Sequence, residues 1–144
     1  MHFVIGGAYN GKRQWVRAEL EKHAGEDRAI LEINTLIPEK ELSPYKAVIW
    51  SDIEHWIEAN WYNGMEEEQL LKRWRNAIDE LIQWEEKDEA HQVVIIGTDQ
   101  SKGIVPLDQT KRAVRDLAGW CHQYTAKKAE RVTRVWYGIA EKLK

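Results

Sequence analysis

Cysteine is almost missing from this chain of 144 residues, where Cys121 stands alone. A single thiol excludes an internal disulfide and a cysteine metal framework, and it fits a reducing, cytoplasmic compartment. An excess of positive charge is missing too. Lys and Arg number 21 against 24 Asp and Glu, for a net charge of -3, and no dense basic block occurs. A nucleic-acid backbone is therefore not expected as a partner. Long apolar runs are absent. The apolar start, His2–Ile5, runs straight into glycines and is too short for a signal peptide. Nothing approaches the roughly twenty apolar residues of a membrane span, so no membrane partner is expected. The five histidines (His2, His23, His55, His91 and His122) are scattered without zinc-helix spacing, and there is no serine elbow. Internal repeats and low-complexity linkers are also lacking.

What is present is a globular composition, with 43% hydrophobic and 31% charged residues. The length suits one domain over 1–144 with a real core. Tryptophan is abundant, with eight residues, several at core-like positions. They imply a Trp-rich core and subunit interface, or else an aromatic surface for a large flat ligand.

The first thirteen residues organise the rest. His2–Ile5 reads as a buried strand, and Gly6-Gly7-Ala8-Tyr9-Asn10-Gly11-Lys12 has the phosphate-loop spacing of glycine, four residues, glycine, lysine. A helical pattern follows at once, which is the context the motif needs. Glycines let backbone N–H groups turn inward around phosphate oxygens, and the helix N-terminus adds partial positive charge. Lys12 would reach the outer phosphates. The motif's next residue is Ser or Thr, whose hydroxyl helps hold Mg²⁺; here it is Arg13. Arginine pairs with phosphate but cannot ligate a metal. A plain glycine turn with Lys12 and Arg13 on the surface is the competing interpretation.

Further along, Lys12–His23 has a helical stripe of Trp15, Val16 and Leu20, stopped by Gly25. Arg28–Asn34 reads as a second strand, Thr35–Tyr45 as a loop, and Lys46–Trp50 as a third strand covered on both faces. Ser51-Asp52 supplies an N-cap for a helix carrying Ile53, Trp56, Ile57 and Trp61, broken at Asn63-Gly64. A second helix with Leu70, Trp74, Ile78, Leu81 and Ile82 follows Glu66-Glu67-Glu68. Gln92–Ile96 is a fourth strand, and Gly97–Gly103 is a loop at its carboxyl end. Pro106 fits the first turn of the last helix, with Leu107, Val114, Leu117, Cys121 and Tyr124 along one side. Cys121 is a core residue on this pattern, not a nucleophile. Arg131–Ile139 reads as a fifth strand.

The order β-α-β-β-α-α-β-α-β predicts an α/β fold, with an open, mostly parallel sheet of about five strands and helices on both faces. Ligands bind such sheets outside the carboxyl ends of the strands. That edge collects Gly6–Lys12, Ser51-Asp52 and Gly97–Gly103. Asp52 is a candidate for orienting Mg²⁺, or simply a helix cap. Asp99 is a second metal candidate, or an ordinary loop aspartate.

Val93–Pro106 reads VVIIGTDQSKGIVP, Arg115–Gln123 reads RDLAGWCHQ, and the chain ends YGIAEKLK. With the opening VIGGAYNGK, these stretches resemble the adenosylcobinamide kinase / adenosylcobinamide-phosphate guanylyltransferase family of cobalamin biosynthesis. That family opens with a sequence like GGARSGKS, carries TNEVGxGIVP before the last helix and RDxAGxxNQ within it. The resemblance implies a P-loop-type fold, ATP or GTP as substrate, a corrinoid as the second substrate, and a homo-oligomer. It departs from the family at Arg13 for the loop serine, Ser51 for the acid ending strand three, Thr98-Asp99 for Asn-Glu, and His122 for the helix asparagine. The guanylylated histidine of the family lies in a segment after strand two; here Asn34–Trp50 has no His and no Arg. His55 is the nearest histidine, and nothing around it matches.

By resemblance, the expected chemistry is phosphoryl transfer from ATP or GTP to adenosylcobinamide. Lys12 and Asp52 would be the catalytic residues, Gly6, Gly7, Ala8, Tyr9, Asn10, Gly11, Lys12 and Arg13 would hold phosphate, and Asp52 and Asp99 would lie near Mg²⁺. The guanylyltransferase half is expected to be lost. A second expectation is a degenerate member that binds nucleotide or corrinoid without turnover, as a regulatory or assembly subunit.

Overall fold

A computed structural model of the protein describes residues 1–24, 29–100 and 107–144. The described elements run β1 (His2–Gly6), α1 (Lys12–Ala24), β2 (Ile30–Ile33), a 3-10 turn (Glu39–Glu41), β3 (Ala47–Trp50), α2 (Ile53–Tyr62), α3 (Glu67–Glu86), β4 (Gln92–Thr98), α4 (Gln109–Lys128), β5 (Arg131–Trp136) and β6 (Ile139–Lys142). They build one α/β unit around a sheet ordered β2-β3-β4-β1-β5-β6. All pairs are parallel except β5 with β6.

The central strands are apolar at consecutive positions because both faces are covered. In β4, Val93 and Ile95 face the larger core with Trp50, Trp74 and Leu117, whereas Val94 and Ile96 face the smaller core with Val16 and Leu20 of α1. The same alternation puts Val48 and Trp50 on one side of β3, and Ala47 and Ile49 on the other. Helix α1 thus covers one face, and α2, α3 and α4 cover the other.

Tryptophan fills the larger core. The Trp50 and Trp74 rings lie 4.9 Å apart, and Trp56 stands 5.6 Å from Trp74. The Trp74 indole Nε1 donates to the Cys121 carbonyl at 3.1 Å and to Thr125 Oγ1 at 3.2 Å, which fixes α3 on α4. Cys121 is fully buried in this cluster, as its helical position implies.

Three boundaries differ from the sequence expectations. The last strand is a hairpin, because Tyr137 (φ 50) and Gly138 (φ 76) both take left-handed backbone and turn the chain between Trp136 and Ile139. Two such residues match the twist of a two-residue hairpin, and alternation along the strand does not reveal the reversal. Helix α4 starts at Gln109, with the Asp108 carboxylate accepting from the Lys111 N–H at 2.9 Å. Leu107 therefore precedes the helix and is exposed, instead of continuing its apolar side. Asp52 holds the N-cap position of α2 in a left-handed conformation (φ 55), and its side chain makes no cap hydrogen bond. The Gly64 break stands as expected. Its N–H and that of Met65 donate to the Trp61 and Asn60 carbonyls and close α2. Gly25 and the Gly103–Pro106 motif lie outside the described residues.

Candidate phosphate-loop site

The loop from β1 to α1 is shaped by close packing on its neighbours. A Cβ at Gly6 would sit 2.1 Å from the Val135 carbonyl oxygen on β5, so only glycine fits there. Gly11 (φ 80) and Tyr9 (φ 59) both take left-handed backbone. The Gly11 carbonyl accepts from the Trp15 N–H at 2.9 Å and begins α1. The Asn10 carbonyl accepts from the Gly138 N–H at 2.9 Å, and its Oδ1 from the Tyr137 N–H at 3.2 Å. The β5–β6 turn is thereby tied to the loop. The three non-glycine residues with positive φ among the described residues, Tyr9, Asp52 and Tyr137, all belong to this site or its support. Such backbone strain persists where the surroundings over-determine it.

Lys12 folds back over the loop. Its Nζ donates to the Gly6 carbonyl at 3.0 Å and the Gly7 carbonyl at 2.8 Å. Its pKa is lowered, chiefly by burial and also by Arg13, while Glu54 and Asp52 pull the other way. Arg13, one residue on, crosses to the end of β3. Its Nη2 donates to Ser51 Oγ at 2.7 Å and to Asp52 Oδ2 at 2.5 Å. Helix α1 packs over β4 and β3, and this side chain links its first turn to the carboxyl end of β3.

A cavity of about 560 Å³ opens here, lined by Ala8 through Gln14, with Ser51, Asp52, Ile96 and Thr98. It therefore brings together the loop candidates Ala8, Tyr9, Asn10, Gly11, Lys12 and Arg13 with Asp52; Gly6 and Gly7 lie beneath as the acceptors of Lys12. Asp99 is placed elsewhere. Its backbone N–H donates to the Gly6 carbonyl at 2.9 Å, but the residue lines a neighbouring cavity of about 400 Å³. That cavity is otherwise built from Gln100 and the Arg115–Gln123 stretch, including Arg115, Asp116, Trp120 and His122. Another cavity, of about 460 Å³, lies around His2, Trp15 and Arg131 at the amino ends of the strands. Open parallel sheets bind ligands at the opposite end.

Glu54 was not legible as a site residue from sequence alone. Its Oε1 accepts from the Thr98 N–H and pairs with His122 Nε2, each at 2.7 Å. It therefore joins α2, β4 and α4 between the two cavities. Its one local signal is an acid near the start of the helix after β3; its partners are 44 and 68 residues away.

The donor set does not fit a resident divalent cation. Where a loop hydroxyl would ligate it stands the Arg13 guanidinium, which donates to both Ser51 and Asp52. Asp99 lines a different cavity from Asp52. Among the described residues, no group of three or more His, Cys, Asp or Glu side chains could hold a metal ion. Nor is any helix among them long and apolar enough to cross a membrane.

A family model described as cobinamide kinase / cobinamide phosphate guanyltransferase matches residues 26–143. The matched stretch begins after the phosphate loop, so Gly6–Arg13 stands outside it. A bifunctional adenosylcobalamin biosynthesis protein CobP from Pseudomonas aeruginosa is 36% identical over 52 residues. The aligned segment covers 36% of this chain and 30% of that relative's length.

Proposed function

Because the chain belongs to the cobinamide kinase / cobinamide phosphate guanyltransferase family, we propose that it binds ATP or GTP at Gly6–Arg13 and phosphorylates adenosylcobinamide in cobalamin biosynthesis. The observation that carries this reading is the loop itself: strand, glycine turn and helix, with Lys12 and Arg13 at one cavity. On phosphate binding, Lys12 exchanges the Gly6 and Gly7 carbonyls for phosphate oxygens. The acceptor alcohol enters from the neighbouring cavity of Asp99 and Arg115–Gln123. Its oxygen bonds to the terminal phosphorus as the bond to the bridging oxygen breaks. The nucleoside diphosphate leaves, and the hydroxyl proton passes to water. Such transfer rests on positioning and charge neutralisation, which two adjacent cations supply. Asp52 acts here through Arg13, which it holds in place. The protein works as a homo-oligomer in the cytoplasm on this reading.

The guanylyl-transfer half is absent from the proposal. It requires a nucleophilic imidazole against the α-phosphate. Asn34–Trp50 contains no histidine, and His55 is exposed on α2 and lines neither of the two cavities.

A second reading, nucleotide binding without turnover, is favoured by one observation: Asp52, the acid that lines the loop's cavity, is engaged by Arg13. The test uses ATP or GTP labelled at the terminal phosphate, with adenosylcobinamide. Label in adenosylcobinamide phosphate, lost in Lys12→Ala, supports the kinase. Binding without transfer supports the second reading. A stable GMP adduct on the protein from α-labelled GTP would overturn the loss of guanylyl transfer.

A further inference from the structure

We propose that Arg13 takes the place of the divalent cation at the phosphate loop, so that the site accepts a nucleoside triphosphate in its metal-free form. The inference rests on the reading that Gly6–Arg13 binds a nucleoside triphosphate.

Three observations carry it. The first is position. Arg13 follows the loop lysine at the start of α1, where the motif has the metal-ligating hydroxyl. It ends against Ser51 and Asp52, on the carboxyl side of β3. A loop hydroxyl and a strand-end acid would share a cation between them. Here that place holds a fixed positive charge.

The second is anchoring. Both anchoring bonds use Nη2, and Nε and Nη1 make no hydrogen bond among the described residues. A guanidinium presents five donors in a rigid fork, so one edge is held by protein while the other remains for phosphate oxygens. Ser51 is buried and Asp52 is held in left-handed backbone beside it, so the acceptors are fixed at the end of β3, while the Arg13 and Asp52 side chains stay open to the cavity, 53% and 58% exposed.

The third is charge. Lys12 and Arg13 are successive residues lining one cavity at the amino end of a 13-residue helix. Lys12, Arg13 with part of its charge offset by Asp52, and the helix terminus together offset the charge of a phosphate chain without a metal. A divalent cation brought to Ser51 and Asp52 would have to displace Arg13 from both oxygens. Magnesium therefore gains no ligands from the protein and withdraws charge from the nucleotide that Arg13 would otherwise bind.

The test is calorimetric titration of the full chain with ATP and with GTP, each in excess EDTA and in excess Mg²⁺. The wild type is expected to bind at least as tightly in EDTA as in Mg²⁺. Arg13→Ser is expected to lose about tenfold or more of its affinity in EDTA and to bind more tightly with Mg²⁺ than without. Wild-type binding that is about tenfold tighter in Mg²⁺ overturns this inference alone and leaves the nucleotide reading standing. Unchanged affinity of Arg13→Ser in EDTA also overturns it. Failure to bind either nucleotide under both conditions overturns the nucleotide reading, and this inference with it. Should Arg13→Ser not fold, the wild-type comparison between EDTA and Mg²⁺ decides on its own.

Discussion

The carboxylate of Glu54 lies 2.7 Å from the imidazole of His122, across 68 residues of sequence. The same oxygen accepts from the Thr98 N–H, so one side chain pins the end of β4 between α2 and α4. Both side chains are 13% exposed, which places the pair largely out of water.

Replacing Glu54 with Ala strips the acceptor from a part-buried backbone N–H and from His122. The expected loss is about 1–3 kcal/mol of folding stability, read from the urea midpoint at constant m-value. Glu54→Gln keeps one acceptor oxygen and should lose less. Equal losses for the two variants would show that packing, not hydrogen bonding, sets the cost.

Gly6 and Gly119 make a controlled pair. Gly6→Ala drives a methyl into the Val135 carbonyl, so β1 and β5 must part. It should cost at least about 2 kcal/mol and disturb the loop. Gly119 lies in α4 with nothing within 4 Å of a built Cβ, and Gly119→Ala should add about 0.5–1 kcal/mol by helix propensity. Thermal melts of the two variants in opposite directions are the expected result; a tolerated Gly6→Ala would contradict the packing.

His2 gives a pH dependence with a definite sign. Burial first, then Arg131 and the N-terminal ammonium, push its pKa down from 6.5 to about 4. Between those values the unfolded chain takes up a proton that the native state does not. Stability should therefore fall as pH is lowered through this window, by up to about 1.4 kcal/mol per pH unit from this group. His2→Gln cannot titrate and should remove that part of the slope. Parallel stability–pH curves for the two proteins would count against the shift.

Cys121 should be chemically silent in the native state. Burial pushes its thiol up to about 12, and the residue is fully enclosed. At pH 8 a thiol reagent should label it only after denaturant unfolds the chain. Rapid stoichiometric labelling of native protein would mean that α4 opens far more readily than its packing implies.

Much of the architecture was legible in the residues. Val93–Ile96 and Ala47–Trp50 are apolar without a break, because a strand covered on both faces has no solvent side to mark. Lys12–Ala24 and Glu67–Glu86 carry their stripes at helical spacing: Val16, Leu20, Leu70, Trp74, Ile78 and Leu81 are buried, Trp15 and Ile82 half-buried at the edge, and Ala77 and Trp84 join the buried side. The glycine loop announced itself between a strand and a helix. The hairpin did not, because Tyr137 adopts a backbone that its residue type rarely takes and so gives no local turn signal.

Sequence by itself determined most of the buried positions and the helices and parallel strands, because periodicity records the solvent boundary of each segment locally. Tertiary structure alone decided the neighbours. The insertion of β4 between β1 and β3, the separation of Asp99 from Asp52 into adjoining cavities, and the reach of Arg13 to Ser51 and Asp52 all depend on packing between segments. In the sequence Arg13 reads as a departure from a metal-binding pattern and Asp52 as a separate candidate for orienting Mg²⁺; folding makes them one ion pair, because α1 lies over the sheet with its first turn beside the end of β3.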